Sequence, residues 1–130
     1  MPAPASATYS AAAKVAANTS FRDLVDSGTG AGTVKVRNSS DTLLGTCTLS
    51  DPCGTVNGTT GQLTFSAVTG DTSADAGGTA AYVEICDSDG DVHLSLPAQA
   101  GSSAVSGKAV FNTLTIVAGG PIDILSIVIG

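Results

Sequence analysis

A chain of 130 residues suits one domain with one modest core. Apolar residues make up 42% and charged residues 12%, about half the usual share of charge, so much of the surface must be Ser, Thr, Gly, Ala or Asn, as suits a protein packed against other subunits. The net charge of −6, with Lys14, Arg22, Lys35, Arg37 and Lys108 scattered, argues against a nucleic-acid binder, and no apolar run is long enough to span a bilayer.

Ten of the eleven acidic residues are Asp, and Glu84 is the single Glu. Asp favours turns and caps, whereas Glu favours helices. With sixteen glycines and many Ser and Thr, this predicts a turn-rich β protein. The apolar fraction is too high for disorder.

The start, "MPAPASA", alternates Pro and Ala and reads as an extended arm over residues 1–8. It lacks the basic and apolar regions of a secretory signal, so the three cysteines are expected to be made in a reducing compartment. Residues 9–27, "YSAAAKVAANTSFRDLVDS", allow one helix or a short pair interrupted at Asn18-Thr19-Ser20. Ser20 would cap the second piece with Asp23 at its N3 position, and Phe21, Leu24 and Val25 would share a face. "GTGAG" (28–32) stops the helix. A phosphate loop precedes a helix, so this segment, which follows one, is read as a linker.

From residue 28 to 130 the signals are β. "TVKVR" alternates, and "DTLLGTCTLS" follows with Leu44 or Cys47 leading its two faces. "DPCGTVNGTTG" is a loop, and "QLTFSAV" alternates Leu63, Phe65 and Ala67. "GDTSADAGGT" and "PAQAGSSAVSG" are further loops. "KAVFNTLTIV" and "IDILSIVI" form a last hairpin around "AGGP". The pattern predicts a mainly β domain, an antiparallel β-sandwich or jelly-roll-like fold, with a short N-terminal helix.

The stretch "EICDSDGDVHLSL" (84–96) holds three aspartates at alternate positions, a cysteine and the one histidine. As a hairpin closed by a two-residue type I′ turn at Asp89-Gly90, it would pair Cys86 with His93, Ile85 with Leu94 and Val83 with Leu96. Val83, Ile85, Leu94 and Leu96 then share one face, which explains Asp89 and Gly90 without a ligand. Two metal readings compete. Asp87, Asp89 and Asp91 have the 1, 3, 5 spacing of a calcium loop, but its glycine comes at the fourth place and Ala98 occupies the twelfth. Cys47, Cys53, Cys86 and His93 match a Cys₃His zinc set by count, but the Cys47-x5-Cys53 spacing is wide. Cys47 and Cys53 flank "TLSDP", a turn-forming stretch that could let them meet as a disulfide. One His and one Glu build no catalytic constellation, and no cofactor is expected.

"PIDILSIVIG" is apolar on both faces, so it is either central in a sandwich or buried against a partner. Ile127, Val128 and Ile129 are the expected contact residues. Pro2 and Pro4, in the arm, are the expected inter-subunit tether.

"FRDLVDSGTGAGTVKVR", "LGTCTLSDPCG", "TSADAGGTAAYVEICDSDGDVHLSL" and the final strand pair, in this order, resemble a group of small structural proteins of tailed bacteriophages. The resemblance covers residues 21–130. It departs where Cys53-Gly54 stands in place of a usual Ala-Phe-Gly, and where Asp91 replaces a common Asn. The resemblance implies a non-enzymatic virion component made in the host cytoplasm, such as a capsid decoration (cement) protein. Its partners would be the major capsid protein or other virion proteins, in a homo-oligomer, with neither nucleic acid nor membrane bound. The alternative is a tail- or neck-associated protein, or a fibre-like module recognising a host surface. Glycan sites usually show exposed aromatics, and only Tyr9, Tyr82, Phe21, Phe65 and Phe111 are present.

Overall fold

The structure, a computed structural model, describes residues 8–130; Pro2 and Pro4 lie outside the described residues. One helix, α1 (Ala11–Val25), precedes β1 (Thr33–Arg37), β2 (Leu43–Thr48), β3 (Gly54–Val56) and β4 (Leu63–Phe65). There follow β5 (Gly78–Thr79), β6 (Tyr82–Cys86), β7 (Val92–Ala100), β8 (Lys108–Phe111), β9 (Thr115–Ile116) and β10 (Ile124–Ile129). Eight strands form one curled sheet in the order β2-β1-β6-β7-β8-β10-β4-β3, and β5 pairs with β9 apart from it. The fold is mainly β and sandwich-like, as the sequence predicts, with one difference. The sheet is mixed, because β7 runs parallel to β8.

That parallel pairing depends on how β7 changes partner. Its first part pairs with β6 as far as Pro97, and Ala98 to Ala100 pair with β8. The Ala98 N–H still donates to the Ala81 carbonyl at 3.0 Å, so β7 remains bonded on the β6 side as its pairing with β8 begins. One long strand therefore serves both halves of the curled sheet and runs through "PAQA", which the sequence suggests is a loop.

The helix is continuous across Asn18-Thr19-Ser20. Ser10 is its N-cap, with the hydroxyl accepting from the Ala13 N–H at 3.1 Å, and Ser20 caps nothing. Asn18 is a poor helix former, but here its amide donates to the Gly61 carbonyl at 2.6 Å, a tertiary bond that overrides local propensity. At the other end Asp26 Oδ1 accepts the Cys53 N–H at 2.8 Å. Val25 is fully buried and Phe21 packs against the core, whereas Leu24 is 47% exposed and so does not share their face.

In β2 both Leu44 and Cys47 are buried, which strict alternation forbids. A bulge resolves this: Val36 pairs with Gly45 and Arg37 with Leu43, leaving Leu44 as the extra residue. The outer edge of β2 is covered by "GDTSADAGG". Thr48 and Thr69 exchange backbone bonds at 2.9 and 2.8 Å. Asp71 Oδ2 accepts the Thr46 N–H at 3.0 Å, and the Leu44 carbonyl accepts from Asp75 at 2.8 Å. An edge so covered offers no template to another strand.

The C-terminal strand lies inside the sheet, paired on one side with β8 and on the other with β4. Ile127 is 1% and Val128 7% exposed, and Ile129 is half-buried against the core. Of the expected inter-subunit contact residues, Ile127 and Val128 are thus buried in the domain's own packing, and Ile129 is partly so. Three smaller corrections follow. "DPCGTVNGTTG" contains β3, Ala67 is exposed beyond the end of β4, and "KAVFNTLTIV" divides into β8 and β9. The last hairpin is therefore a β8–β10 pair with β9 diverted to β5.

Candidate functional site

Residues 84–96 form a hairpin, but not with the turn expected. Val83 pairs with Leu96, Glu84 with Ser95 and Ile85 with Leu94, as the apolar pattern requires. Beyond Ile85 the register shifts, so Cys86 pairs with Val92 and not with His93. The Gly90 N–H donates to the Asp87 carbonyl at 3.1 Å, and the Asp87 N–H to the Asp91 carbonyl at 3.1 Å. Gly90 has a φ of +90°, whereas Asp89 is not in the left-handed region. This is the three-residue loop with a glycine bulge and not a type I′ turn. The extra loop residue displaces His93 from its expected partner.

Asp87 is the centre of the turn. Its Oδ1 accepts the N–H groups of Asp89 at 2.9 Å and Asp91 at 3.0 Å, and its Oδ2 lies 2.8 Å from His93 Nε2. The residue is 6% exposed. The hydrogen bond to His93, then those from the two backbone N–H groups, hold this carboxyl below the usual carboxylate range against the opposing effect of burial. Ser88 extends the cluster by donating to the Ser27 carbonyl at 3.1 Å, which clips the hairpin tip to the α1–β1 connection. Gly28, at φ +99°, leaves the space for it, since a Cβ there would lie 2.0 Å from Ser88 Oγ.

The candidate metal residues are not brought together. Asp87 is committed within its own turn, while Asp89 and Asp91 are exposed, so the three carboxylates do not converge. Among the described residues no group of three or more His, Cys, Asp or Glu is placed to hold an ion. Cys47 and Cys53 belong to the main core, whereas Cys86 is buried outside it and His93 is turned to Asp87. The zinc set is thus divided by the sheet's packing. All three cysteines are free thiols. Burial pushes the Cys47 thiol up to about 11 and the Cys53 thiol to about 12, and raises Cys86 as well.

A second polar cluster, on β1 and β6, escapes sequence reasoning. Arg37 Nε donates to Glu84 Oε1, and its Nη1 donates to the Asp41 carbonyl at 3.0 Å. The Tyr82 hydroxyl donates to Asp41 Oδ1 at 2.8 Å. Asp41 has a φ of +66°, and these two bonds hold it there. The Glu84 carboxylate raises Arg37 above its ordinary value, and the bond to Asp41 raises Tyr82. Alternation places Lys35, Arg37, Tyr82 and Glu84 on outward positions. The antiparallel register of β1 on β6, which sets Arg37 opposite Tyr82, exists only once the sheet is formed.

The surface of the described residues carries no pocket. No helix among them is long and apolar enough to cross a membrane. No protein-family model matches the chain, and neither curated proteins nor solved structures give a match.

Proposed function

We propose that this protein is a non-enzymatic structural component of a tailed-phage virion, a capsid decoration protein that seats on the assembled shell as an oligomer. The observation that carries this reading is the use to which the resembling motifs are put. In "TSADAGG" the Asp75 and Ala76 N–H groups donate to the Leu44 carbonyl at the β2 edge, and the "DSDGD" turn closes itself through Asp87. "SDPC" receives the cap of α1 through Cys53 and Asp26. Asp26, Asp71 and Asp87 are engaged in holding the framework, while Asp89 and Asp91 are exposed at the hairpin tip. A rigid body with a covered edge and little charge suits a part that must seat on a surface without polymerising. In this reading the shell contact uses the outward residues of β1, β6 and β7, together with the arm that holds Pro2 and Pro4.

The test is location and copy number. Antibody to the folded chain is used for immunogold labelling of purified particles, and the chain is quantified against the major shell protein by mass spectrometry. Label over the whole shell with hundreds of copies supports decoration. A handful of copies at one vertex favours the tail or neck alternative, and absence from particles overturns the virion reading.

A further inference from the structure

The turn joining β3 to β4 carries the exposed dipeptide Asn57-Gly58, in which the residue after the asparagine has no side chain. This dipeptide is chemically reactive in general. The Gly58 amide nitrogen, after losing its proton to hydroxide, can attack Asn57 Cγ. A C–N bond forms, the Cγ–Nδ2 bond breaks and ammonia leaves. Water then opens the five-membered succinimide at either carbonyl, giving aspartate or isoaspartate and one added negative charge. Attack requires the Asn57 side chain and the following peptide to rotate towards each other.

The folded turn opposes that rotation. Asn57 Oδ1 accepts the N–H groups of Thr59 at 2.8 Å and Thr60 at 3.0 Å. The Asn57 N–H donates to the Gln62 carbonyl at 2.8 Å, and its own carbonyl accepts from Gly61 at 2.8 Å. The turn is in turn held by the helix. The Gly61 carbonyl accepts from Asn18 Nδ2 at 2.6 Å. A Cβ on Gly61 would lie 2.3 Å from Lys14 Cβ and 2.9 Å from the Val15 nitrogen, so α1 sits directly on this residue. Gly61 therefore joins the two, through its N–H to Asn57 and through its carbonyl to Asn18.

We propose that Asn57-Gly58 is a self-modification site gated by the docking of α1: cyclisation proceeds when the helix lifts from the turn, and the isoaspartate product prevents it from settling back. Isoaspartate lengthens the main chain by one methylene and moves the side-chain carboxylate. The acceptor that organised Thr59 and Thr60 is then misplaced. The opening is reversible until the bond is made, and afterwards it is not. The protein thus carries a one-way record of helix release.

The experiment uses the full chain at pH 8 and 37 °C, with peptide mapping that separates Asn, Asp and isoAsp at each asparagine. A synthetic peptide spanning residues 54–62 gives the ungated rate. The wild type is expected to react at Asn57 far more slowly than the peptide. Asn18→Ala removes the clamp while placing a better helix former in α1, and should speed Asn57 about five- to tenfold, the population change expected for one lost hydrogen bond. Asn38 and Asn112 should be unaffected. Gly58→Ala, at a position with open space around it, should suppress the reaction. Hydrogen exchange at Thr59 and Thr60 in the wild type gives a check that needs no variant: their opening should match the protection of Asn57. Four results would overturn the proposal: wild-type reaction at the peptide rate, equal rates in wild type and Asn18→Ala, equal acceleration of all three asparagines, or fast exchange at Thr59 and Thr60 with Asn57 still protected.

Discussion

Replacing Ile127 by Ala measures how far the C-terminal strand belongs to the domain's own core. Ile127 is 1% exposed on β10, between β8 and β4. The substitution removes three carbon atoms, and at about 0.8 kcal/mol per buried methylene the transfer loss is about 2.4 kcal/mol. A partly relaxed cavity brings the total to about 3–4 kcal/mol, inside the range for such changes. At about 3 °C per kcal/mol for a domain of this size, the Tm should fall by about 10 °C. Urea unfolding should show a lower midpoint at an unchanged slope. Leu125→Ala is the internal control. It lies two residues away on the same strand but is 51% exposed, so it should cost no more than about 0.5 kcal/mol. If Ile127→Ala melts within a degree or two of the wild type, or if Leu125→Ala costs as much, the assignment of this strand to the core is wrong.

Asp87→Asn should be less stable than the wild type at pH 7. The depressed Asp87 carboxyl contributes stability that is present above the ordinary Asp value of about 3.9 and is lost as pH falls through its lower folded value. The gap between the two proteins should therefore narrow in chemical denaturation below about pH 4, and a gap independent of pH would refute the account of the turn. In the native protein at pH 8 all three cysteines should resist iodoacetamide, because burial removes both access and thiolate. All three should label in denaturant, and two that stay unlabelled in denaturant without reductant would reveal a Cys47–Cys53 disulfide. Asp26→Ala strands the Cys53 N–H, and should cost about 1–3 kcal/mol by thermal melting, with no loss if the bond to Asp26 is replaced by water.

Much of the local structure is legible in the chain itself. "TVKVR" is β1 to the residue, and Val83, Ile85, Leu94 and Leu96 pair as their alternation demands. Period-two patterning and glycine placement are local properties, so they survive without knowledge of neighbours. The clustering of Asp and Gly over 87–91 is likewise legible as a turn, since both are turn formers in their own right. What it could not determine are the features made by contact between distant segments. The helix stays whole through Asn18 because Gly61, 43 residues away, accepts its amide. Leu44 and Cys47 both face inwards because β2 bulges against β1. His93 meets Asp87 and not Cys86 because one extra loop residue shifts the register. "ILSIVI" reads equally well as a central strand or a docking strand, and the pairing of β10 with both β8 and β4 makes it central. In each case the local preference is worth a few tenths to about 1 kcal/mol, less than the buried bond or packed side chain that the tertiary fold sets against it.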